Sequence, residues 1–174
     1  MNERWTLLPL VGVGPLKFGM SRSDVDRLSD ILGPIDEPVS EEPRTDGRTL
    51  IVEYRDMDSP ECVFDEDALC EIIISEFVRF DILLNGVSIF TVAPQQTVAA
   101  MARTCGPAYW SIGRLFFPEA AIQVAGFIAE LETGGVPVFQ SEETGFPTPQ
   151  LIMARKGSYD LHGRNGLRLD LAID

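Results

Sequence analysis

The chain of 174 residues has one histidine, His162. A Ser-His-Asp or Cys-His hydrolase would have to use it. It stands in "YDLHGRNG", whose expected form is an exposed polar turn, not the seat of a catalytic base. Cysteines are few and odd in number, at positions 62, 70 and 105. That count excludes a disulfide framework, and the lack of a Cys-x-x-Cys or His-Cys cluster excludes structural zinc. All three sit among apolar residues, so Cys62, Cys70 and Cys105 are expected as buried free thiols in a reducing compartment. No apolar run approaches the length of a transmembrane helix. The opening "MNERWTLLPLVGVGPL" has no cationic segment, and Pro9, Gly12, Gly14 and Pro15 break its apolar run. No signal peptide is read there, and a cytoplasmic protein is expected.

Positive charge is scarce as well. Fourteen Lys and Arg face 27 Asp and Glu, a net charge of −13. The imbalance sits in residues 1–81, which hold 19 acidic and 8 basic residues; residues 82–174 hold 8 and 6. Such a chain repels nucleic-acid phosphates and anionic membranes and attracts a basic protein. The same charge also serves plain solvation.

What is present suits a folded protein: 45% hydrophobic and 9% aromatic residues, with enough length for one domain and its own core. "GPLKFGMSRSDVDRLSDILGP" reads as a capped helix. Ser21 is the N-cap, Asp24 completes a box, Val25, Leu28 and Leu32 share a face, and Gly33-Pro34 stops it. At an offset of 73 the pattern returns: Val98, Met101 and Cys105 share a face, Gly106-Pro107 stops the helix, and Pro94 opens it.

Strand-like runs follow each helix. They are 49–55, 61–65 and 69–77 after the first, with a turn at Glu66-Asp67, and 109–117, 121–127 and 127–133 after the second. Residues 78–90 bridge the units, and "QLIMARK" and "LRLDLAI" form a C-terminal hairpin. The expected architecture is α+β: two tandem helix-plus-antiparallel-strand units, with the helices packed on one face of antiparallel sheet. A single domain spans 1–174, with units at about 10–80 and 81–140 and a C-terminal loop and hairpin at 141–174.

At Gly19-Met20-Ser21, Val25, Leu32 and Gly33-Pro34 the chain resembles small helix-plus-meander domains. These are the outer-membrane assembly lipoproteins of the SmpA/OmlA type and the β-lactamase inhibitor protein family, which carries two such repeats in tandem. The resemblance covers about twenty residues well and implies a fold; since both families act by gripping proteins, it also implies binding. The lipid-attachment cysteine and the inhibitor's cysteine pairs have no counterparts here.

Other chemistry is excluded residue by residue. "GVGPLKFG" lacks the phosphate-loop Lys-Ser/Thr and the dinucleotide-binding spacing. "DMDSPECVFDEDALCE" is acidic like a calcium loop but lacks its glycine and ligand alternation, and Pro60 intrudes. No catalytic residue, metal site or cofactor is assigned. The acidic surface remains: Asp36, Glu37, Glu41, Glu42 and Asp46 in one loop, and Glu53, Asp56, Asp58, Glu61, Asp65, Glu66 and Asp67 in or beside the next hairpin. As neighbours they would form a negative patch that speeds encounter with a basic partner. Tyr54, Phe64, Tyr109 and Trp110 are the aromatic anchors considered.

The expected function is a non-catalytic protein-binding inhibitor, an immunity protein that neutralises a bacterial toxin through this surface. The alternatives are a scaffold or adaptor subunit, and an enzyme with an unrecognised carboxylate site.

Overall fold

The first strand, β1 (Arg4–Leu8), turns Trp5 and Leu7 inward and its other residues outward. Two short strands, β2 (Gly12–Val13) and β3 (Leu16–Lys17), fold back against it. Ser21 then caps a helix as expected. Its hydroxyl accepts the Asp24 N–H at 3.2 Å, and the Asp24 carboxylate accepts the Ser21 N–H at 3.2 Å. The helix is broken, however, into α1 (Arg22–Asp26) and α2 (Ser29–Leu32). The Ser29 hydroxyl donates to the Asp26 carbonyl and to its carboxylate, a local bond that competes with the helical ladder. Gly33, at φ +83, makes the stop. The computed structural model describes residues 3–36, 39–44, 47–133, 135–139, 148–156, 166–169 and 171. Glu37, Asp46 and His162 therefore lie outside the described residues.

Four antiparallel strands follow: β4 (Ser40–Pro43), β5 (Thr49–Glu53), β6 (Glu61–Asp65) and β7 (Ala68–Ser75). Glu66 and Asp67, at φ +50 and +65, form the two-residue turn expected between β6 and β7. The hairpin of β8 (Asp81–Leu84) and β9 (Val87–Ser88) leads to α3 (Pro94–Cys105). That helix has Pro94 in its first turn and ends on Gly106 at φ +86. The remaining strands are β10 (Ala108–Ser111), β11 (Arg114–Phe117), β12 (Ile122–Ala125), β13 (Ile128–Leu131), β14 (Pro137–Phe139), β15 (Gln150–Ala154) and β16 (Leu167–Leu169).

These strands make a nine-stranded sheet in the order β16-β10-β11-β12-β15-β7-β6-β5-β4, a five-stranded sheet β3-β2-β1-β8-β9, and the pair β13-β14. One apolar core joins them. Val25, Leu32, Val98, Met101 and Cys105 of the helices pack with Trp5, Leu16 and Ile82 of the smaller sheet and with Ile72, Ile74, Leu151 and Met153 of the larger. The fold is thus α+β, with helices packed against antiparallel and mixed sheets.

Three expectations on strand pairing change. First, the strands do not divide into two discrete helix-plus-strand units: β1, which precedes the first helix, pairs in parallel with β8, and β7 pairs with β15. Second, 127–133 does not return along β12. Gly126, at φ +75, turns the chain aside, Phe127 and Ile128 enter the core, and β13 pairs with β14. Third, β15 and β16 form no hairpin; β15 lies between β12 and β7, and β16 lies beside β10. An alternating apolar strand records which face is buried but not which strand lies beside it.

The β1–β8 junction is tightly filled. Trp5 stacks on Phe80 with ring centroids 3.7 Å apart. Gly14 lies against the same indole, where a Cβ would stand 2.4 Å from a ring atom.

Candidate functional site

The acidic residues singled out from the sequence separate into framework and surface. Glu53 leaves the patch altogether, because it is fully buried. It lies 2.6 Å from Arg22 Nε and 3.4 Å from Nη2 of the equally buried Arg55. Arg55 Nη1 donates to the Gly33 carbonyl at 2.7 Å, so this pair also ends α2. Asp56 and Asp58 share Arg79, at 3.8 and 3.2 Å, and Arg79 donates to the Ile31 carbonyl at 2.5 Å. The Ser59 hydroxyl donates to the Leu32 carbonyl at 2.6 Å. The loop after β5 is therefore a cap on the last turn of α2, whose carbonyls have no helical partner. Asp65 pairs with Arg48, and the Asp67 carboxylate accepts the Arg22 N–H at 3.2 Å. Asp36, Glu41, Glu42 and Glu66 are exposed, and Glu61 is half-buried.

A residue outside the original set joins them. Glu71 lies opposite Val63 on β6, and Glu61 lies opposite Ile73 on β7. These positions belong to the face of β4–β7 turned away from the main core, over a small apolar cluster of Leu50, Val52, Val63 and Cys70 with Ile73 beside it. Burial pushes the Glu71 carboxyl up to about 7; Arg44 and Arg114 oppose the shift, and Glu42 and Glu61 add to it. Burial, and then the charge of Glu42, raises Glu61. Tyr54, exposed at the end of β5, is raised by burial and by Glu61 and Glu42. The charge of Glu42 therefore reaches Glu61, Glu71 and Tyr54 at this part of the sheet.

The other anchors considered behave differently. Phe64 is fully buried in the core, Trp110 packs against it, and Tyr109 is half-buried. Glu71 was legible in principle, as an acidic residue inside the run "LCEIIIS". A charge within an apolar strand marks a face that is not fully covered.

No protein-family model matches this chain, and no curated protein or solved structure does. The site must be read from its own geometry. Among the described residues, no group of three or more His, Cys, Asp and Glu is placed to hold a metal ion. Nor is any helix among the described residues long and apolar enough to cross a membrane. A groove of about 940 Å³ between β8–β9 and α3 is lined by Arg4, Asp81, Ser88, Gln95 and Arg103. An apolar groove of about 550 Å³ runs between α3, β14 and β16. Neither is lined by Glu61 or Glu71.

The protonation of Glu71 is measurable. The folded chain keeps a proton there that the unfolded chain has already lost, so stability falls as the pH rises from about 4.5 to about 7. Glu71→Gln is expected to flatten that fall, gaining up to about 3 kcal/mol at pH 8 relative to pH 5, at ~1.36 kcal/mol per pKa unit. Urea midpoints at the two pH values test it. An unchanged pH dependence in the variant would mean that the wild-type carboxylate is well solvated.

Proposed function

We propose that this chain is a non-catalytic protein-binding module that grips a basic partner protein through the outer face of β4–β7. One observation carries the reading: Glu42, Glu61 and Glu71 share one sheet face, where burial raises the carboxyls of Glu61 and Glu71 and the charge of Glu42 adds to both shifts. A face that gathers like charge over a half-covered apolar floor is stabilised when cations from a partner dock on it. The −11 balance of residues 1–81 extends the attraction beyond contact range.

In its most specific form the module is an immunity protein, and the basic partner is a bacterial toxin whose substrate entry it blocks. The second form is a scaffold or adaptor using the same face. Buried free thiols at Cys62, Cys70 and Cys105 suit the cytoplasm, where either form would act.

A two-unit origin of the fold belongs to the same proposal. The order β4-β5-β6-β7 is mirrored by β10-β11-β12-β15 across the β7–β15 pair. Both α2 and α3 also end on a glycine that lies against an acidic side chain, Asp56 at Gly33 and Glu119 at Gly106.

The test begins with a tagged chain that retains its partner from its own cells at low salt, after which the partner is identified and purified. Reversing two charges, Glu42→Lys with Glu61→Lys, is expected to weaken binding of that partner at least tenfold. Wild-type affinity should fall steeply as salt rises. Equal affinity in wild type and variant would sink the acidic-face reading. A partner that is toxic alone and harmless when co-expressed supports the immunity form; one that is harmless alone supports the scaffold.

A further inference from the structure

The turn joining β10 to β11 breaks a local rule. Ser111 pairs with Arg114, leaving Ile112 and Gly113 as the two turn residues, at φ +48 and +72. Positive φ at both positions is what a tight hairpin requires, and Asn, Asp or Gly supplies it without strain. The β8–β9 turn obeys with Asn85-Gly86. Isoleucine is a poor choice, because its branched Cβ collides with its own backbone at positive φ. Nor does burial compensate, since Ile112 is 92% exposed. The side chain is thus both strained and solvated, and conflicts of this kind gather at functional positions.

Its surroundings say what such a side chain could serve. The register runs from Ser111 and Arg114 through Ala125 and Gln150 to Ser75, which places the turn at the same end of the large sheet as the loop after β7. That loop exposes Phe77 at 62%. The Arg79 N–H, donating to the Asp58 carbonyl at 2.9 Å, ties it to the loop after β5, where Met57 is 92% exposed. Three apolar side chains from three separate turns therefore line one end of the sheet. The strands behind Ile112 and Phe77 are three spacings apart, about 14 Å. The charges around them are mixed with an acidic excess: Glu76, Asp56 and Asp36 are exposed and Asp58 is half-buried, against Arg79, which Asp56 and Asp58 share, and the exposed Arg114 that flanks the turn.

We infer that Ile112, with Phe77 and Met57, is the apolar anchor of the interface, inserting into a cleft of the basic partner whose rim carries Lys and Arg. This rests on the protein-binding reading above and adds where the partner sits: on the end of the sheet reached by Tyr54 and Glu61, not on the sheet face alone. The acidic excess selects a cationic rim, and the apolar tips replace water inside the cleft. An anionic membrane is disfavoured by the same charges.

Two measurements test it. The first compares the full-length chain with its Ile112→Asn variant. The variant is expected to melt about 2–5 °C higher, because asparagine fits the turn. It is also expected to bind the purified partner at least tenfold more weakly. A lower melting temperature would make Ile112 a structural residue and overturn the inference. So would a higher one with unchanged affinity. If Glu42→Lys with Glu61→Lys weakens binding while Ile112→Asn does not, the anchor fails and the acidic-face reading stands. The second places a benzophenone amino acid at position 112 and irradiates intact cells. A covalent adduct with that same basic partner supports the anchor. No adduct, or one only with lipid or a second copy of this chain, overturns it.

Discussion

Arg55→Ala is expected to destabilise the protein by about 3–5 kcal/mol, the usual cost of leaving a buried charge without its partner. Both Glu53 and Arg55 have side chains out of reach of water, 3.4 Å apart. Removing the guanidinium strands the Glu53 carboxylate with only the half-exposed Arg22. It also frees the Gly33 carbonyl at the end of α2. Arg22→Ala should cost less, because Glu53 keeps Arg55. Replacing both members of the buried pair, Glu53→Leu with Arg55→Met, should recover part of the loss, since no charge is then left in the core. Recovery stays incomplete because the Gly33 carbonyl remains unmet. Urea midpoints of the four proteins decide the matter. A loss below about 1 kcal/mol for Arg55→Ala would mean that water reaches the pair.

Trp5→Ala is expected to cost about 3–5 kcal/mol, as large-to-small changes of fully buried aromatics do. Trp5 sits on β1, opposite Ile82 in the parallel pairing with β8, and stacks on Phe80. The cavity cannot be filled from below, because the wall there is Gly14, held at φ +53. Any side chain at Gly14 would have to displace the indole, so Gly14→Ala should be destabilising in wild type and less so once Trp5 is gone. Thermal melts of the two single variants and the double variant measure that coupling. Additive losses would show that the two residues do not compete for the same space.

Much of the fold was legible in particular residues. Ser21, Asp24, Gly33, Pro94 and Gly106 marked helix ends because capping is a short-range matter of hydrogen bonds and backbone angles. Glu66-Asp67 marked a turn for the same reason. The pairing of β7 with β15 and of β1 with β8 was not legible, since nothing local in "LCEIIIS" names the partner strand. The acidic site was read by density of charge, which counted the fully buried Glu53 and did not foresee that Asp56 and Asp58 share Arg79. Each lies within reach of an arginine distant in sequence, and only the fold brings Arg22 and Arg79 to them. Glu71 was passed over because it lies inside an apolar run. Burial on the folded sheet raises its carboxyl, and Glu42 and Glu61 from β4 and β6 add to that.

The β7–β15 pair has a consequence for the growing chain. β7 is rich in isoleucine, and until its partner arrives one whole edge is open to pairing with any other extended chain. That partner begins at Gln150, so residues 76–149 must be synthesised first, roughly 4–15 s at ordinary translation rates. During that interval the emerging half carries most of the negative charge of the protein. Copies on neighbouring ribosomes repel one another while their edges are bare. The acidity concentrated before residue 82 thus opposes pairing between copies while those edges are bare.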